Sequence, residues 1–212
     1  MTTLYLIRHG ETGGNSEGRF QGIVDNPLND AGVHQAENLG EYFNSIQVDE
    51  IYASPLIRSQ QTAKIIAQHY TKRELTPVVE RGLMEMNGGL LEGMKFSNIK
   101  EEYPEVMEAI QSHLATLQCP QGESMREVYD RITGAINHII EINDGKTVLV
   151  IGHGISIAAY VHSVSGKPYA EMPNDLIENA TALCFHAQNG QVTLEHIRQI
   201  IPDRSKEFEM KD

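Results

Sequence analysis

Apolar residues along this chain come either in short unbroken runs or at three-to-four-residue spacings, and the two patterns alternate. Leu4-Tyr5-Leu6-Ile7 has the pattern of a buried strand. Asn29-Asp30 then opens a helix in which Ala36, Leu39, Tyr42 and Phe43 share one face. Ile51-Tyr52-Ala53 predicts a second strand. Ser54-Pro55 follows as a helix start, with serine at the cap and proline in the first turn, and this helix ends near Tyr70. Pro77-Val78-Val79-Glu80 predicts a third strand. A capping box at Ser124-Met125-Arg126-Glu127 opens a long helix with Val128, Ile132, Ile136 and Ile139 on one face. Asp144-Gly145 ends it. Thr147–Ile151 is the clearest buried strand and leads into Gly152-His153-Gly154 and a further helix. Ala182–His186 and Val192–Ile197, joined by Asn189-Gly190, predict a hairpin.

Alternating strands and helices imply an α/β fold with a mostly parallel sheet covered by helices. Two stretches break the rhythm. Gly10, Gly13, Gly14 and Gly18 make the segment after the first strand too glycine-rich for a regular element. Between residues 87 and 120, Gly88, Gly89, Gly93 and Pro104 interrupt weakly helical pieces, which reads as a lid or wall over the sheet edge. The tail after Pro202 is charged and is expected to be loosely held.

Composition adds boundaries. At 212 residues with 40% hydrophobic and 22% charged side chains, the chain reads as one ordinary globular domain, 1–212. No apolar run approaches the roughly 18–20 residues of a membrane span, and the N-terminus lacks a signal-peptide pattern. Cys119 and Cys184 are far apart and read as thiols in a reducing cytoplasm. A net charge of −12 argues against nucleic acid and anionic membrane as partners. An anionic ligand then needs a local cluster of cations, and Arg8, Arg19 and Arg58 are the candidates.

In a parallel sheet the strand ends share one edge, where ligands bind. Arg8-His9-Gly10 ends the first strand and Gly152-His153-Gly154 the fourth; Arg58 and Glu85 follow the two others. Two histidines, two arginines and a carboxylate therefore converge. A neutral imidazole can attack phosphorus when its other nitrogen holds a proton against a fixed acceptor. Arg8 and Arg58 can neutralise the non-bridging oxygens, with Gly10 admitting the ligand to the backbone. His153 can add a hydrogen bond, and Glu85 can protonate the leaving alkoxide. This scheme requires no metal and no cofactor. The remaining histidines, 34, 69, 113, 138, 162, 186 and 196, have no spacing partner and read as surface or core residues. Gly152-His153-Gly154-Ile155-Ser156 is not a nucleophile elbow, since glycine occupies the serine position. Ile157 breaks a dinucleotide fingerprint, and His9-Gly10-Glu11 lacks the Cys-x-x-Cys of a zinc deaminase.

These motifs resemble the histidine phosphatase superfamily, which includes the cofactor-dependent phosphoglycerate mutases. The resemblance rests on Arg8-His9-Gly10-Glu11-Thr12, Asn15, Arg19-Phe20-Gln21-Gly22, Asp25, Pro27-Leu28, Gly32 and Gln35-Ala36. It continues through Ser54-Pro55-Leu56, Arg58, Gln61-Thr62-Ala63, Glu85, Gly89, Glu92-Gly93, Gly122-Glu123-Ser124 and His153-Gly154. What it implies is a three-layer α/β/α sandwich and a phosphohistidine intermediate on His9. Arg8, Arg58 and His153 would complete the phosphate pocket, with Glu85 as proton donor. Thr12, Asn15, Gln21, Gly22 and the backbone at Gly154 would line the substrate side. The implied partner is a small phosphorylated metabolite, with homodimerisation left open.

Phosphatase and mutase remain to be separated. Mutase relatives carry an adjacent arginine pair after the acid; here Glu85 to His153 holds none, and only Lys95 and Lys100 precede the long helix. Met84, Met86, Leu90, Leu91, Met94 and Phe96 instead suggest an apolar wall for a less polar leaving group. That favours a metal-independent phosphomonoesterase. A phosphoglycerate mutase, closely resembled at Arg19-Phe20-Gln21-Gly22, and a non-catalytic phospho-ligand-binding protein are the alternatives.

Overall fold

The computed structural model describes residues 1–174 and 177–198, the side chains of 196–198 excepted; the charged tail after Pro202 lies outside the described residues. Six strands form one sheet in the order β3-β2-β4-β1-β5-β6. They are β1 (Thr2–Arg8), β2 (Glu50–Ala53), β3 (Val78–Val79), β4 (Thr147–Gly152), β5 (Ala182–Gln188) and β6 (Gln191–Arg198). Strands β1 to β4 pair in parallel, and β5 joins β1 antiparallel. The hairpin turn puts both Asn189 (φ 53°) and Gly190 (φ 77°) in the left-handed region, as an Asn-Gly hairpin turn requires.

Side-chain alternation divides the core between the two faces of the sheet. Leu4 and Leu6 of β1, Val148 and Val150 of β4, and Leu183 and Phe185 of β5 point to one side. There they meet α6 (Met125–Ile142) and α7 (Gly154–Ser163). Ile7, Leu149, Ile151 and Ala182 point to the other, against α2 (Asp30–Phe43) and α3 (Ile57–His69). The result is a three-layer α/β/α sandwich with a mostly parallel centre. Val128, Ile132, Ile136 and Ile139 are all buried, each contributing about 1.5–3 kcal/mol relative to exposure. The capping box at Ser124 and Glu127 is formed as the sequence indicates.

Three local expectations change. The glycine-rich segment contains one helical turn, α1 (Gly13–Ser16), capped by Thr12 with Asn15 reciprocating. Ser54 does not cap α3, whose N-cap is Leu56 with no side-chain bond. The third strand shrinks to Val78–Val79 at the sheet edge. Between residues 87 and 120 lie α4 (Phe96–Glu102), α5 (Pro104–Ser112) and short 3-10 turns, packed on the α6 side of the sheet. Among the described residues no helix is long and apolar enough to cross a membrane.

Candidate active site

The C-terminal ends of β1, β4 and β2 converge as a parallel register demands. Arg8 stands opposite Gly152, and the His9 N–H donates to the Gly152 carbonyl at 3.1 Å. His9 is 2% exposed and tightly specified. Its Nδ1 lies 2.6 Å from the Gly10 carbonyl, which can only accept, so Nδ1 carries the proton. Its Nε2 accepts from Arg58 Nε–H at 3.2 Å and therefore bears the lone pair. Burial, with Arg58 and Arg8 nearby, holds the His9 pKa well below the ordinary 6.5. The imidazole is neutral at pH 7, with its lone-pair nitrogen against a guanidinium.

Arg58 comes from the first turn of α3 and is 1% exposed. Its Nη1 and Nη2 donate to the carbonyls of Val24 and Gly22, both at 2.7 Å. Gly22 presents that carbonyl from φ +52°, a conformation in which a side chain would be strained. Burial pushes the Arg58 pKa down to about 10, and it remains cationic at neutral pH. Arg8 donates through Nη1 to the Ile177 carbonyl, while its buried Nε has no hydrogen-bond partner among the described residues. Burial lowers its pKa too, partly offset by Glu85 and Glu178.

His153 is fully buried at the N-cap of α7, and its ring centroid lies 5.2 Å from that of His9. Its Nε2 is 2.8 Å from Ser54 Oγ and 3.3 Å from Ser59 Oγ, and its Nδ1 has no hydrogen-bond partner among the described residues. A serine hydroxyl donating to Nε2 leaves the proton on Nδ1, ready for an incoming oxygen. Burial, then Arg58, His9 and Arg8, keep its pKa well below 6.5 as well. Ser54 thus serves the second histidine where the sequence suggests a helix cap.

Glu85 completes the group from the segment before α4 and is 8% exposed. Its Oε1 accepts from the N–H groups of Met86 (2.9 Å) and Ser156 (3.1 Å), and its Oε2 from Ile155 (3.1 Å). The carboxyl therefore sits on the first turn of α7 and accepts from N–H groups that have no partner within the helix. Arg131 of α6 holds the approach by donating to the carbonyls of Gly82 and Met84 at 3.0 and 2.8 Å.

A cavity of about 280 Å³ opens onto these groups. Arg8, His9, Arg58, Glu85, Asn15, Gln21, Gly22 and Gly154 line it, so most of the expected set is brought together. His153 lies behind the wall. Thr12 is fully buried and faces Asn15 Oδ1 (2.9 Å) and Gln21 Oε1 (2.8 Å), so it orders those two amides. Gly10 admits α2 rather than a ligand: a Cβ there would lie 2.4 Å from the Gly32 carbonyl oxygen. Of the six residues expected in an apolar wall, only Phe96 lines the cavity. Met86 and Leu91 are core, Met84 and Met94 face elsewhere, and Leu90 is exposed. Phe20, Ile110 and Ile155 supply the apolar surface instead, with Arg19 at the same wall. Asn179 was not indicated by any sequence signal, yet its amide donates to the His9 carbonyl at 3.0 Å. A larger groove of about 560 Å³ near Met1 and the β5–β6 turn is lined by two carboxylates and no arginine or histidine.

Comparison with known proteins bears on this geometry. The model of the histidine phosphatase superfamily (branch 1) matches residues 4–200. The chain belongs to the histidine phosphatase superfamily. A protein from Cronobacter sakazakii described as a probable phosphoglycerate mutase is 34% identical over 172 residues, 81% of this chain and 79% of that one. The phosphoserine phosphatase of Entamoeba histolytica, solved with 3-phosphoglyceric acid, superposes with a TM-score of 0.79 at 25% identity, covering 94% and 98% of the two chains. A mycobacterial glucosyl-3-phosphoglycerate phosphatase, solved with VO3, gives a TM-score of 0.82 at 25% identity over 91% and 96%. Relatives of both reaction types, phosphatase and mutase, thus surround this chain.

Proposed function

We propose that the protein is a phosphomonoesterase that works through a phosphohistidine on His9 and needs no metal. The observation that carries this reading is the His9 tautomer: Nδ1–H on the Gly10 carbonyl and a lone pair at Nε2. That lone pair attacks phosphorus, the bond to the leaving oxygen breaks, and Glu85 gives its proton to the alkoxide. Water then attacks the phosphohistidine, returns a proton to Glu85, and releases phosphate with His9 neutral again. Arg8, Arg58 and the His153 Nδ1–H stabilise the equatorial oxygens throughout, so the protein supplies the positive charge itself.

Hydrolysis is favoured over mutase chemistry by the far wall. Phe20, Phe96, Ile110 and Ile155 suit a leaving group less polar than phosphoglycerate, and no adjacent arginine pair stands there. Asn15, Gln21, Gly22 and Gly154 border the substrate side, with Thr12 fixing the amides. In this reading residues 1–212 act as one domain, and 87–120 form a lid over the leaving group. The expected partner is a small phosphorylated metabolite in the cytoplasm, whether or not the chain pairs as a homodimer. The mutase reading keeps one support, the description of the 34% identical relative. Hydrolysis of an aryl phosphate, unaffected by EDTA and abolished in His9→Ala, is the expected result. Interconversion of phosphoglycerates outpacing phosphate release would instead favour the mutase.

A further inference from the structure

Far from the cavity, the β5–β6 hairpin gathers three residues of different chemistry that phosphoryl transfer does not use. Cys184 and His186 lie two apart on β5 and share a face. Their partners on β1 are Tyr5 and Thr3, on the α2–α3 side of the sheet. Glu195 reaches them from β6, beside the irregularity in the β5–β6 ladder. His186 Nε2 lies 2.6 Å from Glu195 Oε2, and Cys184 Sγ lies 3.7 Å from the same oxygen. One ligand atom from each residue falls within 4.8 Å of the others.

We propose that Cys184, His186 and Glu195 bind a zinc-type divalent cation, with water in the fourth position. A thiolate, an imidazole and a carboxylate are a donor set that zinc takes readily. Bonds of roughly 2.0–2.3 Å in tetrahedral geometry place such atoms about 3.3–3.7 Å apart. The observed separations bracket that range, so small side-chain rotations suffice. The surroundings are those of a supported site. Thr3 Oγ1 lies 3.3 Å from His186 Nδ1, orienting the ring so that Nε2 faces the other donors. The Tyr5 hydroxyl hydrogen-bonds Cys184, and its ring packs edge-on against Phe43 at 5.2 Å. Leu6, Ile7 and Arg8 of β1 lie between Tyr5 and His9, about 13 Å of extended chain. The cation would thus clip the edge strand β6 to the sheet and take no part in the chemistry.

The test is a titration of reduced, metal-free protein with cobalt(II), each variant first shown to be folded by circular dichroism. The expected result is one equivalent bound with a thiolate-to-cobalt charge-transfer band, displaced by zinc. Cys184→Ser should lose the band and Cys119→Ser should keep it. His186→Ala and Glu195→Gln should each weaken binding by roughly 10-fold or more. Zinc at a hundred times its Kd should raise Tm by roughly 5–10 °C. Absence of the band at one equivalent, its persistence in Cys184→Ser, or full affinity in both His186→Ala and Glu195→Gln would overturn the proposal.

Discussion

At one end of the cavity, Arg58, His9 and His153 each have two or three partners that set their orientation and protonation. At the other end, Phe20, Phe96, Ile110 and Ile155 offer apolar surface without such directional bonds. The first end is built from strand ends and helix starts, whose positions follow from the parallel sheet. The second draws on the loop after α1, on α4 and α5, and on Ile155 in the first turn of α7. A rigid phosphate end can serve one chemistry, while a wall of apolar side chains can accept several leaving groups. On the proposed function, the contrast teaches that reaction type and substrate choice are carried by different parts of this fold.

The comparison breaks most completely at the nucleophile. His9→Ala should lower kcat for an aryl phosphate by roughly 10⁴-fold or more, because among the described residues no other imidazole lines the cavity. Glu85→Gln should separate substrates by leaving group: about 10²–10⁴-fold loss with an alkyl phosphate and far less with p-nitrophenyl phosphate, which needs no proton. Equal losses on both would remove Glu85 from the proton-donor role. Arg58→Gln should cost about 10²–10³-fold in kcat. It should also move the acid limb of the kcat/KM profile upward, since Arg58 is among the charges holding His9 neutral. With Arg58 present the active, unprotonated His9 persists below pH 6.5 and is lost only as pH falls through its depressed pKa. Phe96→Ala and Ile110→Ala belong to the opposite end, and several-fold rises in KM for aryl phosphates with kcat retained are expected.

The same titration reaches stability. His9 and His153 are buried neutral, so the unfolded chain binds protons near pH 6.5 that the folded chain refuses. Their contribution is complete above pH 6.5 and falls as pH drops below it, by up to about 1.4 kcal/mol per pH unit for each group. Urea denaturation between pH 7.5 and 5 checks this, and a curve that stays flat below 6.5 would contradict it.

Much of the phosphate end was legible because local patterns placed it. An unbroken apolar run ending in Arg8-His9 and another ending in His153 specify parallel strand ends, and parallel strands share an edge. Residues acting across the fold were not legible. Ser54 reads locally as a helix cap, and only the position of β4 beside β2 turns its hydroxyl toward His153. Arg131 looks like one basic residue on a long helix until α6 lies along the Gly82–Glu85 backbone. The apolar wall was misread for a physical reason. Met86 and Leu91 are taken up by the core, and the cavity takes Phe96 and Ile110 from α4 and α5 instead. Likewise, the sequence around His186 shows no partner because its partners, Thr3 and Glu195, lie across strands and not at helical or loop spacing.

The central claim is that His9 Nε2 becomes covalently bonded to phosphorus. Rapid quench of the protein with a ³²P-labelled monoester under alkaline conditions, followed by peptide mapping, tests it directly. The account predicts a transient, acid-labile and alkali-stable adduct on the peptide containing His9, absent in His9→Ala. Turnover at the normal rate with no such adduct, or with the label on another residue, would contradict it.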